Sequence, residues 1–226
     1  MVVNMNKGTI RAIITGATGM VGEGVLYESL RHPQVEAVLV INRKPVGFSH
    51  PKLKEIIHAD FFDLSPIEKD LAGYDACFFC LGVSSVGMKA DDYYRMTYTL
   101  TMEMGRTLSR LDPGMTFCYI SGAGTDSSEK GRSRWARVKG KTENDLMQLP
   151  FRDVYAFRPG FIRAIKGLKH TQPLYKYISW LFRPGRALFP GGFCTLTELA
   201  LAMIRVAENG YDKKVVEGKD IILLGK

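Results

Sequence analysis

Three glycines at three-residue spacing, Gly16, Gly19 and Gly22, fall in the stretch Gly16-Ala17-Thr18-Gly19-Met20-Val21-Gly22, directly after the apolar run Ala12-Ile13-Ile14. A strand that turns sharply into a helix at such a place leaves unpaired backbone N–H groups at a positive helix end, and that end holds phosphate. The first glycine permits the turn, the middle of the stretch lets the main chain approach a pyrophosphate, and Gly22 lets the helix pack closely on the strand. Val21, Val25, Leu26 and Leu30 then share one helix face. The chemistry implied is the binding of a dinucleotide over the turn from Gly16 to Gly22.

The next apolar run ends at Ile41, and the residues after it bear on which dinucleotide. A site for NAD places Asp or Glu about 20 residues beyond the glycine turn, on the ribose hydroxyls. Asn42-Arg43-Lys44 stands there instead. A carboxylate would repel a 2′-phosphate, whereas Arg43 forms charge-assisted bonds to one and Lys44 adds positive charge. NADP(H) is the cofactor expected.

Other chemistry finds little support. His32, His50, His58 and His170 have no metal-ligand spacing, and no Cys/His cluster suggests zinc. Cys77-Phe78-Phe79-Cys80 matches a redox pattern formally, but it lies in a strand-like run whose positions three apart face opposite sides. Buried structural thiols are expected. With Cys118 and Cys194 the chain has four cysteines, too few and too scattered for a disulfide framework.

The elements that must position these residues alternate. Short β-rich apolar runs at Thr9–Thr15, Ala37–Ile41, Lys54–His58, Ala76–Leu81, Met115–Ser121, Asp153–Phe157 and Asp220–Leu224 are separated by helical patterns at Val21–Arg31, Asp91–Leu111, Arg134–Leu149 and Thr197–Asn209. Thr195 and Glu198 have capping-box spacing ahead of the last helix. This alternation builds a parallel sheet covered by helices on both faces. The expected fold is therefore α/β, a doubly wound Rossmann sheet. Residues 163–194, rich in Gly, Pro, aromatic and basic residues, resist the scheme and read as an irregular excursion, with a short amphipathic helix at Tyr175–Phe182. Such an excursion is either a substrate lid or a cover for the sheet edge or a partner subunit.

At 226 residues, 46% hydrophobic and 24% charged, the chain reads as one soluble globular domain over 1–226. It shows no stretch of signal-peptide or membrane-span character, and the cytoplasm is the default compartment. Its net charge of +8 is concentrated. Val154–Thr197 holds Arg158, Arg163, Lys166, Lys169, Lys176, Arg183 and Arg186 with no acid, and Lys130–Thr142 is likewise acid-free. Such stretches suit an anionic partner: cofactor phosphate, acidic substrate, membrane surface or nucleic acid. No helix-turn-helix, RNP or zinc-finger pattern points to nucleic acid.

Taken in order, Thr15–Gly22, Asn42-Arg43-Lys44, Leu81-Gly82-Val83, Ser121-Gly122-Ala123-Gly124, Val138-Lys139-Gly140-Lys141-Thr142-Glu143 and Phe157-Arg158-Pro159-Gly160 resemble the atypical short-chain dehydrogenase/reductases. The likeness covers nearly the whole chain and is strongest to the branch of Tat-interacting-protein-like and NAD(P)-binding NmrA- or epimerase-like proteins. It implies that Thr18–Val21 hold the pyrophosphate and Arg43 the 2′-phosphate. It also puts Asp60 and Phe61 by the adenine, Leu81, Gly82 and Val83 behind its ribose, and Pro159, Gly160 and Phe161 near the nicotinamide.

The resemblance implies catalysis by a serine, a tyrosine and a lysine four residues after the tyrosine. Lys139 fits the lysine place, but Trp135 stands four before it, and an indole has no acidic proton to give. Ser121 is the serine candidate, with Thr125, Ser127 and Ser128 as alternatives. Tyr93, Tyr94, Tyr98 and Tyr119 are the tyrosines near enough in the scheme to substitute. Two functions follow: an NADP(H)-dependent oxidoreductase on a small carbonyl compound with an altered proton-transfer step, or a non-catalytic NADP(H)-sensing module that offers its surface to a protein. A third reading sets the aromatic and basic segment around Arg183 and Arg186 against anionic lipid. Members of the superfamily pair through helices flanking the sheet, which makes Asp91–Leu111 and Arg134–Leu149 the expected faces of a homodimer.

Overall fold

The alternation of runs forms a sheet wound in two directions from its middle. The computed structural model describes residues 8–169 and 182–226. Seven parallel strands lie in the order β3-β2-β1-β4-β5-β6-β9: β1 (Ile10–Thr15), β2 (Val35–Asn42), β3 (Leu53–Ile57), β4 (Ala76–Phe79), β5 (Thr116–Ile120), β6 (Asp153–Arg158) and β9 (Val215–Glu217). From β1 the chain winds outward through β2 and β3, then returns to the other side of β1 and winds outward again from β4. The carboxyl ends of β1 and β4 therefore flank the switch point, where a doubly wound sheet binds its ligand.

Both sheet faces are buried, as the unbroken apolar character of the strands requires. On one face Ala12, Ile14 and Cys118 pack beneath α1 (Met20–Arg31), α6 (Leu196–Asn209) and α7 (Gly218–Leu224), through Val25, Leu26, Leu199, Met203 and Ile221. On the other, Ile13, Cys77, Phe79 and Phe117 meet Leu64, Leu100, Met104, Leu108 and Leu146. Those residues come from the segment before β4, from α3 (Leu100–Leu111), which a π turn joins to α2 (Ala90–Tyr94), and from α4 (Arg134–Leu146). Cys77 faces the second cluster and Cys80 packs against the first, as strand alternation demands, and all four cysteines are free thiols. The capping box forms: Thr195 Oγ1 accepts from Glu198 N at 3.1 Å while the Glu198 carboxylate accepts from Thr195 N at 2.7 Å.

One expected strand is a helix. Asp220–Leu224 belongs to α7, and the last strand is the shorter Val215–Glu217. The apolar run Ile221-Ile222-Leu223-Leu224 suits either state, but Ile221 and Leu224, three apart, are buried while Leu223 is 58% exposed, which is helical spacing. Asp220 accepts hydrogen bonds from Tyr211 and Lys213 and so holds the opening turn of α7.

The excursion after β6 is partly regular. β7 (Phe161–Arg163) and β8 (Phe193–Thr195) pair as a small parallel ribbon, and α5 (Phe182–Leu188) precedes β8. The expected helix Tyr175–Phe182 lies outside the described residues except for Phe182. That ring is buried against Phe161 and Phe193, and Arg186 makes a two-point ion pair with Glu198.

Candidate functional site at the carboxyl edge of the sheet

The register of the parallel strands brings the chemistry-bearing residues to one edge. Thr15 lies beside Phe79, Phe79 beside Tyr119, and Ile120 beside Phe157, so the segments that follow β1, β4, β5 and β6 emerge side by side. Thr15 Oγ1 accepts from Cys80 N at 3.2 Å and ties the first two together.

The glycine turn is built as a cradle. Gly16 has φ +71°, a left-handed conformation that favours glycine, and Gly19 N donates to its carbonyl at 2.9 Å. A Cβ on Gly22 would stand 2.2 Å from that same carbonyl oxygen, so helix and turn approach to main-chain contact. Gly19 begins α1 without a side-chain cap, which leaves the first N–H groups of the helix for a ligand. Both the side-chain-free cradle and its set of N–H donors fit a pyrophosphate.

Asn42 supports the glycine turn from the end of β2. It is 2% exposed, and its Oδ1 accepts from Ala17 N at 3.0 Å, so it braces the glycine turn from β2. Its Nδ2 is buried with no partner among the described residues, an unmet donor beside the cradle. Arg43 and Lys44, next along, are exposed and make no hydrogen bond or ion pair among the described residues.

Asp60 is exposed at the end of β3, and its carboxylate accepts from Phe62 N at 2.9 Å. Phe61, expected beside it at the adenine, is 4% exposed and lies in the core with Leu64 and Phe79, so only its main chain remains for a ligand. Apolar bulk next to a strand end is drawn inward, and the polar neighbour stays out. Leu81 and Val83 are half-buried and Gly82 is exposed beyond β4. Pro159 is buried, its carbonyl accepting from Ala123 N at 2.9 Å. Gly160 lies against the Gly192 carbonyl, and the Phe161 ring is spent on Phe182 and Phe193.

The catalytic candidates gather around the end of β5. Lys139, on α4, donates from Nζ to the Ser121 carbonyl. Burial pushes its pKa down to about 8, and the nearby Glu143 carboxylate opposes that fall. The hydroxyls are committed elsewhere. Ser121 Oγ donates to the Phe157 carbonyl at 3.2 Å and Thr125 Oγ1 to the Gly122 carbonyl at 2.7 Å, both side chains being buried.

Among the described residues no tyrosine fills the place of Trp135. Tyr93 and Tyr119 are buried, and burial raises both phenols above their ordinary range. Tyr98 donates to Asp145 and its ring lies tilted against Tyr94 at 4.8 Å, at the far end of α4. No group of His, Cys, Asp or Glu able to hold a metal ion occurs among the described residues.

One feature of the site escaped the sequence. Arg158 of the Arg-Pro-Gly stretch forms a two-point ion pair with Glu143, one turn beyond Lys139 on α4, and also donates to Ser127. Glu143 is 1% exposed. The pair fastens α4 to the end of β6 and so fixes where Lys139 stands. Nothing in the spacing of Glu143 and Arg158 announces their meeting, since it depends on the order of strands in the sheet.

Residues 12–132 match the model of the NAD dependent epimerase/dehydratase family. The chain belongs to that family. Among relatives, the mitochondrial protein FMP52-2 of Scheffersomyces stipitis is 30% identical over 155 residues, covering 67% of this chain and 66% of that one. Rat HTATIP2 is 24% identical over 222 residues, covering 94% and 88%. The likeness thus spans just under two thirds of the fungal protein and most of the rat one, in line with the branch that the motifs resemble.

Solved structures carry the same fold. The Helicobacter pylori ADP-L-glycero-D-manno-heptose-6-epimerase superposes with a TM-score of 0.67 at 16% identity, over 96% of this chain and 81% of that one. The Bordetella bronchiseptica enzyme WbmG, in complex with NAD, does so with 0.68 at 14% identity, over 95% and 73%. These likenesses show the fold, and the family itself is described as NAD dependent. No helix among the described residues is long and apolar enough to cross a membrane.

Proposed function

We propose that the chain is an NADP(H)-dependent oxidoreductase acting on a small carbonyl compound. The observation that carries this reading is Lys139: an amine held at the end of β5, with its pKa brought down to about 8, on the same sheet edge as the glycine cradle. A group that titrates there can give a proton to an oxygen near neutral pH, which general acid catalysis requires. Arg43 and Lys44, exposed and unpaired at the end of β2, support the phosphorylated cofactor over NAD(H).

In this reading the glycine cradle and the first N–H groups of α1 bind the pyrophosphate. Arg43 takes the 2′-phosphate, Asp60, Gly82 and Val83 border the adenosine, and Pro159 and Gly160 offer main chain to the nicotinamide end. The cofactor when bound supplies a hydride. Lys139 holds the proton, the Glu143–Arg158 pair holds Lys139, and Asn42 holds the glycine turn. A panel of ketones, aldehydes and quinones, followed by NADPH oxidation across pH 6–10, tests the reading. Turnover that falls as pH passes about 8 and vanishes in Lys139→Met supports it; no turnover above blank with any compound overturns it.

A second reading, a non-catalytic NADP(H)-sensing module, draws on the commitment of Ser121 and Thr125 to main-chain carbonyls and on Trp135 in the tyrosine place. Trp135→Tyr separates the two. A gain over a slow wild-type turnover favours the enzyme, and silence of both proteins with intact NADPH affinity favours the sensor.

A further inference from the structure

The residue that breaks the catalytic pattern has a position of its own. Trp135 and Lys139 are four apart on α4 and share a face, and both lie over the turn that follows β5. Lys139 reaches the Ser121 carbonyl, while the benzo edge of the indole rests on Gly124, where an added Cβ would stand 3.5 Å from Cη2 and 3.8 Å from Cζ2. Trp135 is half-buried, and its indole N–H has no hydrogen-bond partner among the described residues and is not sealed from solvent.

The hydroxyls nearby are spent on main-chain carbonyls, so a ligand oxygen arriving at this turn meets donors: the indole N–H and the Lys139 ammonium. An indole donates and never accepts. It serves an oxygen that accepts, as a carbonyl does, and it cannot take the proton of an alcohol. Its flat ring beside an exposed glycine also suits a flat partner.

We propose that Trp135 is a substrate-binding residue whose indole N–H donates to a carbonyl oxygen of a planar conjugated carbonyl compound, of which a quinone is the simplest form. This deepens the proposed function and rests on it, because the carbonyl must face a bound nicotinamide.

The experiment uses the full chain saturated with NADP+, so that nothing is reduced, and duroquinone as the probe, since it has no free ring position for a thiol to attack. Calorimetry gives the quinone affinity of the wild type, Trp135→Phe and Trp135→Tyr, and the NADP+ affinity of each is measured in parallel. The expected result is a loss of about tenfold in Trp135→Phe, the scale of one neutral hydrogen bond, with recovery in Trp135→Tyr, which restores a donor, and with NADP+ affinity unchanged in both. Equal binding by Trp135→Phe overturns the donor role. So does equal loss in both variants, which would mark the indole as a matter of shape alone, and so does a wild type that binds NADP+ but not the quinone. A wild type that binds neither NADP+ nor NADPH overturns the proposed function, and this inference with it.

Discussion

Replacing Lys139 by Met gives a stability change whose pH dependence follows from the site. In the folded chain the amine is partly buried and its pKa falls from 10.5 to about 8; in the unfolded chain it returns to its ordinary value. Between those values the unfolded state binds more protons than the native state, so wild-type stability rises with pH across that window. At about 1.4 kcal/mol per pH unit, the charged amine costs the native state up to about 3 kcal/mol below pH 8, and this cost disappears by about pH 10.5. Methionine has a similar shape and no charge. It also leaves the Ser121 carbonyl without its donor, at about 1 kcal/mol, but that loss does not depend on pH. The stability of Lys139→Met relative to wild type is therefore expected to decline by roughly 2–3 kcal/mol from pH 7 to pH 10.5. Urea denaturation of both proteins at half-unit intervals reads the difference directly, and groups common to the two cancel. A difference that stays flat across this range would refute the argument that the amine is desolvated in the native state.

Other perturbations test the supports of the site. Glu143→Ala strands Arg158, whose side chain is 12% exposed, and is expected to cost about 3–5 kcal/mol in urea denaturation; a cost under 1 kcal/mol would mean that the pair does not join α4 to β6. Gly22→Ala places a methyl group 2.2 Å from the Gly16 carbonyl, and since main chain must move to admit it, a loss of at least about 1–3 kcal/mol together with cofactor binding is expected. An unchanged melting temperature would show that the cradle is looser than described. Thr195→Ala removes the capping-box acceptor of α6 and is expected to cost about 1 kcal/mol, while leaving cofactor affinity unaltered by calorimetry.

Much of the scaffold was legible because local rules and the fold agree. The glycine turn, the helix it opens and the apolar strands on either side follow from period and from glycine spacing, and the parallel sheet covered on both faces follows from the alternation of strand and helix. The capping box at Thr195 was readable for the same reason, being a contact three residues long. Asp220–Leu224 was misread because an apolar run of that length fits a strand or a helix, and only the packing of Ile221 and Leu224 against the sheet face decides.

The site was legible where a role depends on chain position and obscure where it depends on contact. Lys139 and Trp135 were placed by a spacing of four on one helix. Asn42 was expected to touch the ligand, yet its amide reaches back to Ala17, a choice made by the distance between β1 and β2. Phe61 was drawn into the core while its neighbour Asp60 stayed out. The meeting of Glu143 with Arg158, 15 residues apart in sequence, exists only because β6 lies beside β5 and under the last turns of α4.

In the proposed function the glycine cradle and Arg43 together hold a phosphorylated dinucleotide. Calorimetric titration of NADPH and NADH into the wild type and Arg43→Ala tests this. NADPH is expected to bind at least about tenfold tighter than NADH, a ratio worth about 1.4 kcal/mol, and the ratio to collapse toward one in Arg43→Ala through loss of NADPH affinity alone. Equal affinities in the wild type, or a ratio that survives the substitution, would contradict it.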